Sequence, residues 1–227
     1  DLHFVMHVME LQVAPESEPM KRDLDVPSTV TVKALTEELL TADNSLGAAD
    51  ITRAYNEGAG AKLCCLCCPL SEHESGQGVV KFMETNPFRL ASWGIAVDND
   101  GRVLGYVAMT FHPMQPMDGL HTIKPGEAYI DQLMVSAAAR GRGVGTKLLE
   151  WAEALARERN STTLALEVLN GNPAKVLYER YGLEVQPAGP CSRYCISPIF
   201  ICCFASLPYG CSHWGSVFMT KNLRSID

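Results

Sequence analysis

Arg140-Gly141-Arg142-Gly143-Val144-Gly145 decides how this chain is read. A strand-like run, Ala128 to Val135, precedes it, and a helical pattern from Thr146 to Glu158 follows at once. A strand, a glycine-rich turn and a helix N-terminus in succession turn several backbone N–H groups toward one point. Glycine at alternate positions accepts φ > 0 and lets a ligand come close to the backbone. The turn amides and the positive end of the helix dipole favour an anion. Arg140 and Arg142 add charge. The stretch therefore predicts a phosphate site. It is not a P-loop, because Gly145 is followed by Thr146-Lys147 in reversed order. It is not a dinucleotide fingerprint, which needs GxGxxG and an acidic residue after the next strand. A solvated Arg-Gly turn with no ligand is the plain alternative, and the next segment weighs against it.

Leu164, Leu166 and Val168 alternate on one side of a strand running to Leu169. Asn170-Gly171-Asn172-Pro173-Ala174 follows, with Asn172 as a sound N-cap and Pro173 at a first helical position. The helix carries Ala174, Leu177, Tyr178 and Tyr181 at spacings of three and four, and Gly182 suits its stop.

These segments together resemble the GNAT superfamily of acyl-CoA-dependent N-acetyltransferases. The family's pyrophosphate loop, [QR]xxGx[GA], is matched by Arg140, Gly143 and Gly145. Its later signature, NPAxxLYExxGF, is matched by Asn172-Pro173-Ala174, Leu177-Tyr178-Glu179 and Gly182, with Leu183 where Phe is usual. The match covers roughly residues 101–185, and Val217–Leu223 looks like the family's closing strand. The resemblance implies an α/β (α+β) domain with a mixed, mostly antiparallel sheet of about seven strands flanked by helices. It also implies a splayed pair of strands four and five. Residues 1–28 then read as an arm and linker, and 29–227 as the domain, with a Cys-rich insert at 187–215.

The resemblance implies acetyl-CoA as co-substrate, with no metal, and a primary amine as acceptor. Its pyrophosphate would be held by Arg140, Gly141, Arg142, Gly143, Val144, Gly145 and Thr146. Its pantetheine arm would pair with Leu133, Met134 and Val135 as a false neighbouring strand, with Asn172 and Ala174 close by. Val135 or its neighbour would donate an N–H to the developing oxyanion. Tyr178, at the family's tyrosine position, would be the acid for the departing thiolate. The amine, with a lysine-like pKa of ~10.4, must lose a proton before attack. Glu127, Tyr129 and Asp131 alternate onto one face of the preceding strand. Glu127 acting through water is the first expectation for the base, Tyr129 the second, with Tyr129 and Asp131 lining the acceptor pocket. The acceptor expected is a protein N-terminus or lysine. A small amine such as a polyamine or amino sugar, and a silent acyl-CoA sensor, are the rivals.

Composition sets the outer bounds. A chain of 227 residues with 47% hydrophobic and 20% charged residues suits one domain with a substantial core. A net charge of −7 argues against general nucleic-acid binding, which wants a basic face. No apolar run has transmembrane length. The nine cysteines cluster at Cys64-Cys65-Leu66-Cys67-Cys68 and in the tail, at Cys191, Cys195, Cys202, Cys203 and Cys211. Their odd number argues against a complete disulfide framework, and without two separated CxxC pairs zinc is disfavoured. Small buried hydrophobes in a reducing, cytoplasmic setting are the expectation, with a removed targeting segment left open. A monomer or homodimer is expected.

Overall fold

A computed structural model describes residues 29–37, 50–51, 53–54, 81–114, 121–169, 171–187 and 216–224. The arm at 1–28, the excursion at 58–78, all nine cysteines and nearly all of the 187–215 insert lie outside the described residues.

Seven strands form one sheet: β1 (Thr31–Ala34), β2 (Trp93–Val97), β3 (Val103–Phe111), β4 (Glu127–Val135), β5 (Thr163–Leu169), β6 (Glu184–Val185) and β7 (Ser216–Asn222). Their order is β1-β2-β3-β4-β5-β7-β6. The β4–β5 pair is parallel and every other neighbouring pair antiparallel. This is the mixed, mostly antiparallel sheet of about seven strands expected of the GNAT-like fold.

Local chemistry explains the first turns of this meander. Asp98 Oδ1 accepts the N–H groups of Asp100 and Arg102 at 3.0 and 2.9 Å, closing the β2–β3 hairpin. A helical segment at 81–85 and a 3₁₀ turn, Pro87–Ser92, lead into β2.

Helix α1 (Val144–Glu158) covers one face of the sheet. It begins at Val144, two residues ahead of the periodic pattern, and buries Val144, Leu148, Leu149, Ala152 and Ala156. These pack in one cluster with Val107, Met109 and Phe111 of β3, Ala128 and Ile130 of β4, and Leu164, Leu166 and Val168 of β5. Each strand thus sends alternate residues to α1. Complete burial of one large aliphatic side chain contributes about 1.5–3 kcal/mol, so this layer dominates the stability of the domain.

The opposite face holds two smaller clusters. Leu35, Ile51, Met83, Trp93 and Tyr106 form one. Ile123, Tyr129 and Ala165, with Phe218 against them, form the other.

Helix α2 (Ala174–Arg180) starts where Asn172 Oδ1 accepts the Ala174 N–H at 2.9 Å. It stops at Gly182, whose φ is +91°. Gly182 and Leu183 return their N–H groups to Glu179 and Tyr178, each at 3.0 Å, a Schellman ending. Among the described residues no helix is long and apolar enough to cross a membrane.

Candidate active site

The site grows from one irregularity in β4. On β3, Ala108 faces Gln132 and the next residue, Met109, faces Ile130, so Asp131 is an extra residue in β4. A bulge of this kind bends its strand and increases the local twist. The β4–β5 ladder runs from Glu127↔Thr163 to Ile130↔Leu166 and ends there, immediately before the bulge. Beyond that rung β4 stays with β3 as far as Val135, and β5 stays with β7 as far as Leu169. The two halves of the sheet therefore part, leaving a gap between Asp131–Val135 and the end of β5.

The polarity of the β4 backbone along that gap follows from its pairing. Ser136 donates its N–H to Leu104 on β3 at 2.9 Å. Strand groups alternate in direction, so Met134 also turns its N–H and C=O to β3, while Leu133 and Val135 turn theirs into the gap. The close approach of the Met134 carbonyl to Gly105 agrees with this. Of the expected pantetheine-binding trio, Leu133 and Val135 present main-chain groups to the gap and Met134 does not. Arg140 Nε donates to the Val135 carbonyl at 3.3 Å, tying the following loop to the end of β4.

That loop is the glycine-rich turn. Gly141 and Gly143 have φ of +74° and +79°, a region where side chains with a Cβ are strained. A Cβ at either position would meet nothing within 4 Å, so the cradle is open. Gly143 is also the N-cap of α1. The N–H groups of Val144, Gly145 and Thr146 have no carbonyl one turn earlier within the helix, and point outward along its axis. Gly145 serves packing instead: a Cβ there would stand 2.8 Å from Leu177 Cδ2 on α2. The loop and the α1 N-terminus thus follow directly on the strand that borders the gap.

Tyr178 lies on α2, only 7% exposed, within the α1-side cluster that also includes Val168 and, at its edge, Leu133 and Val135. Ala174 also packs at that cluster's edge.

The expected polar face of β4 is present, but more deeply buried than its alternation suggests. Tyr129 is 1% exposed and Glu127 6%, while Asp131 is half-buried. Glu127 Oε1 pairs with His121 Nε2 at 2.7 Å, and Oε2 accepts the Lys124 N–H at 2.9 Å. Both oxygens are thus engaged at the start of β4, about 13 Å along the strand from the bulge. Asp131 Oδ2 accepts a hydrogen bond from Thr110 Oγ1, which in turn accepts from Arg89 Nη1 at 3.0 Å. Gln132 Oε1 accepts from the Tyr106 hydroxyl at 2.7 Å. His121, Thr110, Arg89 and Gln132 carry no sequence signal: they lie on other elements or enter through the bulge, and only register brings them here.

An ionic cluster braces the far side. Glu153 of α1 binds Lys221 of β7 at 2.7 Å and Arg157 at 2.8 Å. Lys221 Nζ sits 4.2 Å from the Tyr181 ring centre. Burial raises the Tyr181 phenol pKa well above its usual value, and the Glu153 carboxylate adds to the effect. Burial alone would raise Glu153, but hydrogen bonds from Lys221, Arg157 and Tyr181 prevail and hold its pKa below the ordinary range. Among the described residues no group of three His, Cys, Asp or Glu could hold a metal ion.

The sequence profile of the Acetyltransferase (GNAT) family matches residues 66–183. An acetyltransferase from Agrobacterium fabrum is 37% identical over 73 residues, 32% of this chain and 52% of its own length. The chain thus spans about half the length of that curated relative. Among solved structures, yncA from Salmonella typhimurium, described as an acetyltransferase and solved with its cofactor acetyl-CoA, aligns with TM-score 0.57 and 17% identity. That alignment covers 86% of this chain and 95% of the other. The ribosomal-protein-S18-alanine N-acetyltransferase from Escherichia coli aligns with TM-score 0.53 and 15% identity, over 88% and 97%.

Proposed function

From the chain's membership of the GNAT acetyltransferase family, we propose that it transfers the acetyl group of acetyl-CoA to a primary amine. The acceptor favoured is a protein N-terminus or lysine side chain, attacking directly in a ternary complex. The observation that carries this reading is the end of the β4–β5 ladder at Ile130↔Leu166, with Val135 main-chain groups turned into the gap and tied to the loop by Arg140.

When bound, acetyl-CoA supplies an activated acetyl thioester. The amides from Gly141 to Thr146 hold its pyrophosphate, with Arg140 and Arg142 adding charge and the α1 dipole favouring the anion. Leu133 and Val135 pair with the pantetheine arm as a strand would, and the Asn172 side chain hydrogen-bonds its amide. The N–H of Val135, or its neighbour along the gap, stabilises the negative charge that builds on the carbonyl oxygen. Tyr178 gives its phenolic proton to the departing sulfur. The acceptor amine enters over the face bearing Tyr129 and Asp131. Asp131, half-buried at the mouth of the gap, is suited to orient an ammonium group.

A turnover screen tests the reading: CoA release measured with peptide N-termini, lysine peptides, polyamines and amino sugars. Saturable release with peptides is expected. Tight acetyl-CoA binding with no turnover on any amine would replace the enzyme reading with that of a sensor.

A further inference from the structure

We propose that Gln132, held by Tyr106, is a specificity-determining residue. Its amide N–H groups read the first carbonyl of a peptide acceptor, so the α-amine of a protein N-terminus is selected over a lysine ε-amine. The inference rests on the acetyl-transfer reading above and deepens it by naming the acceptor class.

The direction of the cofactor places the acceptor. The glycine loop that would hold the pyrophosphate follows the C-terminal end of β4. A pantetheine arm entering from that loop passes Val135 first and Leu133 next, so its acyl end points toward the bulge at Asp131. Gln132 is the neighbour of Leu133, about 3.3 Å along the strand, and Asp131 is about 7 Å along it. These are the side chains that an acceptor nitrogen meets beside the thioester.

The bulge puts both on one face. Neighbours in a regular strand point to opposite faces. Here Asp131 accepts a hydrogen bond from Thr110 and Gln132 accepts one from Tyr106. Thr110 and Tyr106 are four residues apart on β3 and so share a face, and Tyr106 packs in the cluster away from α1. Carboxylate and amide thus stand side by side. Tyr178 belongs to the cluster on the α1 side. A nucleophile held by Asp131 and Gln132 approaches the thioester from one face of the sheet, and the thiolate departs toward the other.

The amide is preorganised. Tyr106 is buried, and its ring stacks on Trp93 with centres 5.4 Å apart and planes within 6° of parallel. Its hydroxyl donates to Gln132 Oε1 at 2.7 Å. With that oxygen engaged, Nε2 offers its N–H donors to a ligand. Gln132 is half-buried, open toward the gap's edge rather than sealed in the core.

An adjacent carboxylate and amide match a peptide N-terminus. One carbon separates its nitrogen from its first carbonyl carbon, so the amine donates to Asp131 while the carbonyl oxygen accepts from Gln132 Nε2. A lysine ε-amine ends an apolar chain and brings no carbonyl to that donor. Covering the amide without pairing it costs affinity. Proton chemistry points the same way. An α-amine with a pKa of about 7.7–8.0 is partly neutral near neutral pH, whereas a lysine amine at ~10.4 is almost wholly charged.

CoA release in the steady state tests this with alaninamide, 2-aminobutane and Nα-acetyl-lysine amide on wild type, Gln132→Glu and Tyr106→Phe, with thermal midpoints alongside. 2-Aminobutane keeps the branched amine and lacks the carbonyl. Gln132→Glu keeps an oxygen for the Tyr106 hydroxyl and removes the N–H donors. Wild type is expected to favour alaninamide. In Gln132→Glu, kcat/KM for alaninamide is expected to fall about tenfold or more, as when a hydrogen bond is lost and its partner left unpaired, while the values for the other two amines do not fall. Tyr106→Phe should lower the alaninamide value less and again spare the others. A wild-type preference for 2-aminobutane or the lysine amide overturns the inference and leaves acetyl transfer standing. An unchanged ratio of alaninamide to 2-aminobutane in Gln132→Glu does the same. A parallel loss on all three amines also overturns it, since that marks a structural glutamine. A wild-type chain inert toward every amine is the distinct result that removes the underlying reading and the inference with it.

Discussion

Gly143→Ala probes the cradle through backbone conformation alone. Gly143 has φ +79° and caps α1, and an added Cβ would touch nothing within 4 Å. The added methyl therefore causes no clash, and its whole cost is that of holding an alanine in the left-handed region, about 1–2 kcal/mol. If the loop keeps its shape, that strain appears as lost stability. At about 2–4 °C per kcal/mol for a chain of this size, the midpoint falls by roughly 2–8 °C. If instead the loop relaxes to negative φ, the amides turn from the pyrophosphate. The same free energy then weakens acetyl-CoA binding about 5- to 30-fold. Thermal melts and calorimetric titration on the same sample divide the cost between the two. Asparagine tolerates the left-handed region better than alanine, so Gly143→Asn should fall between wild type and Gly143→Ala in both measurements. Wild-type melting and binding in Gly143→Ala, or a worse result for Asn than for Ala, would refute the conformational reasoning.

Arg140→Ala removes a cation from the pyrophosphate and the tie from Nε to the Val135 carbonyl. The dissociation constant for acetyl-CoA should rise about tenfold or more, as for loss of a charged hydrogen bond; titration showing no change counts against the loop assignment. Tyr178→Phe should lower kcat about 100-fold with little effect on acetyl-CoA affinity, and equal turnover removes the acid role. Glu153→Gln should flatten the acid limb of stability. The native carboxylate pKa is held low by Lys221, Arg157 and Tyr181, so its contribution is present above the ordinary carboxylate range and lost as pH falls through the native value. Melting midpoints measured from neutral to acidic pH should therefore drop more steeply in wild type than in Glu153→Gln; parallel curves would show that the cluster contributes nothing.

What could be read along the chain was whatever is decided within a few residues. The glycine loop declares itself because Gly141 and Gly143 occupy backbone conformations that other residues resist. The start and stop of α2 are visible because Asn172 and Gly182 satisfy helix ends with groups next to them in sequence. The β2–β3 turn is visible in Asp98, which closes it with its own side chain. The paired loop and helix motifs also identified the family, now matched over residues 66–183.

Register between distant strands was beyond that reach. Strict alternation sent Glu127, Tyr129 and Asp131 to one face but held no sign that β4 carries an extra residue against β3. The bulge arises from how two strands match in length and twist, and it sets where β4 and β5 part, so the position of the gap is a property of the pair. Nothing near Glu127 in the chain signals that folding brings His121 within 2.7 Å of it. Thr110 and Arg89 reach Asp131 only because β3 and the preceding 3₁₀ turn lie beside β4. Chain chemistry within a turn of helix or hairpin specifies the anion cradle; the surroundings of the acceptor depend on side chains that only sheet pairing and stacking assemble.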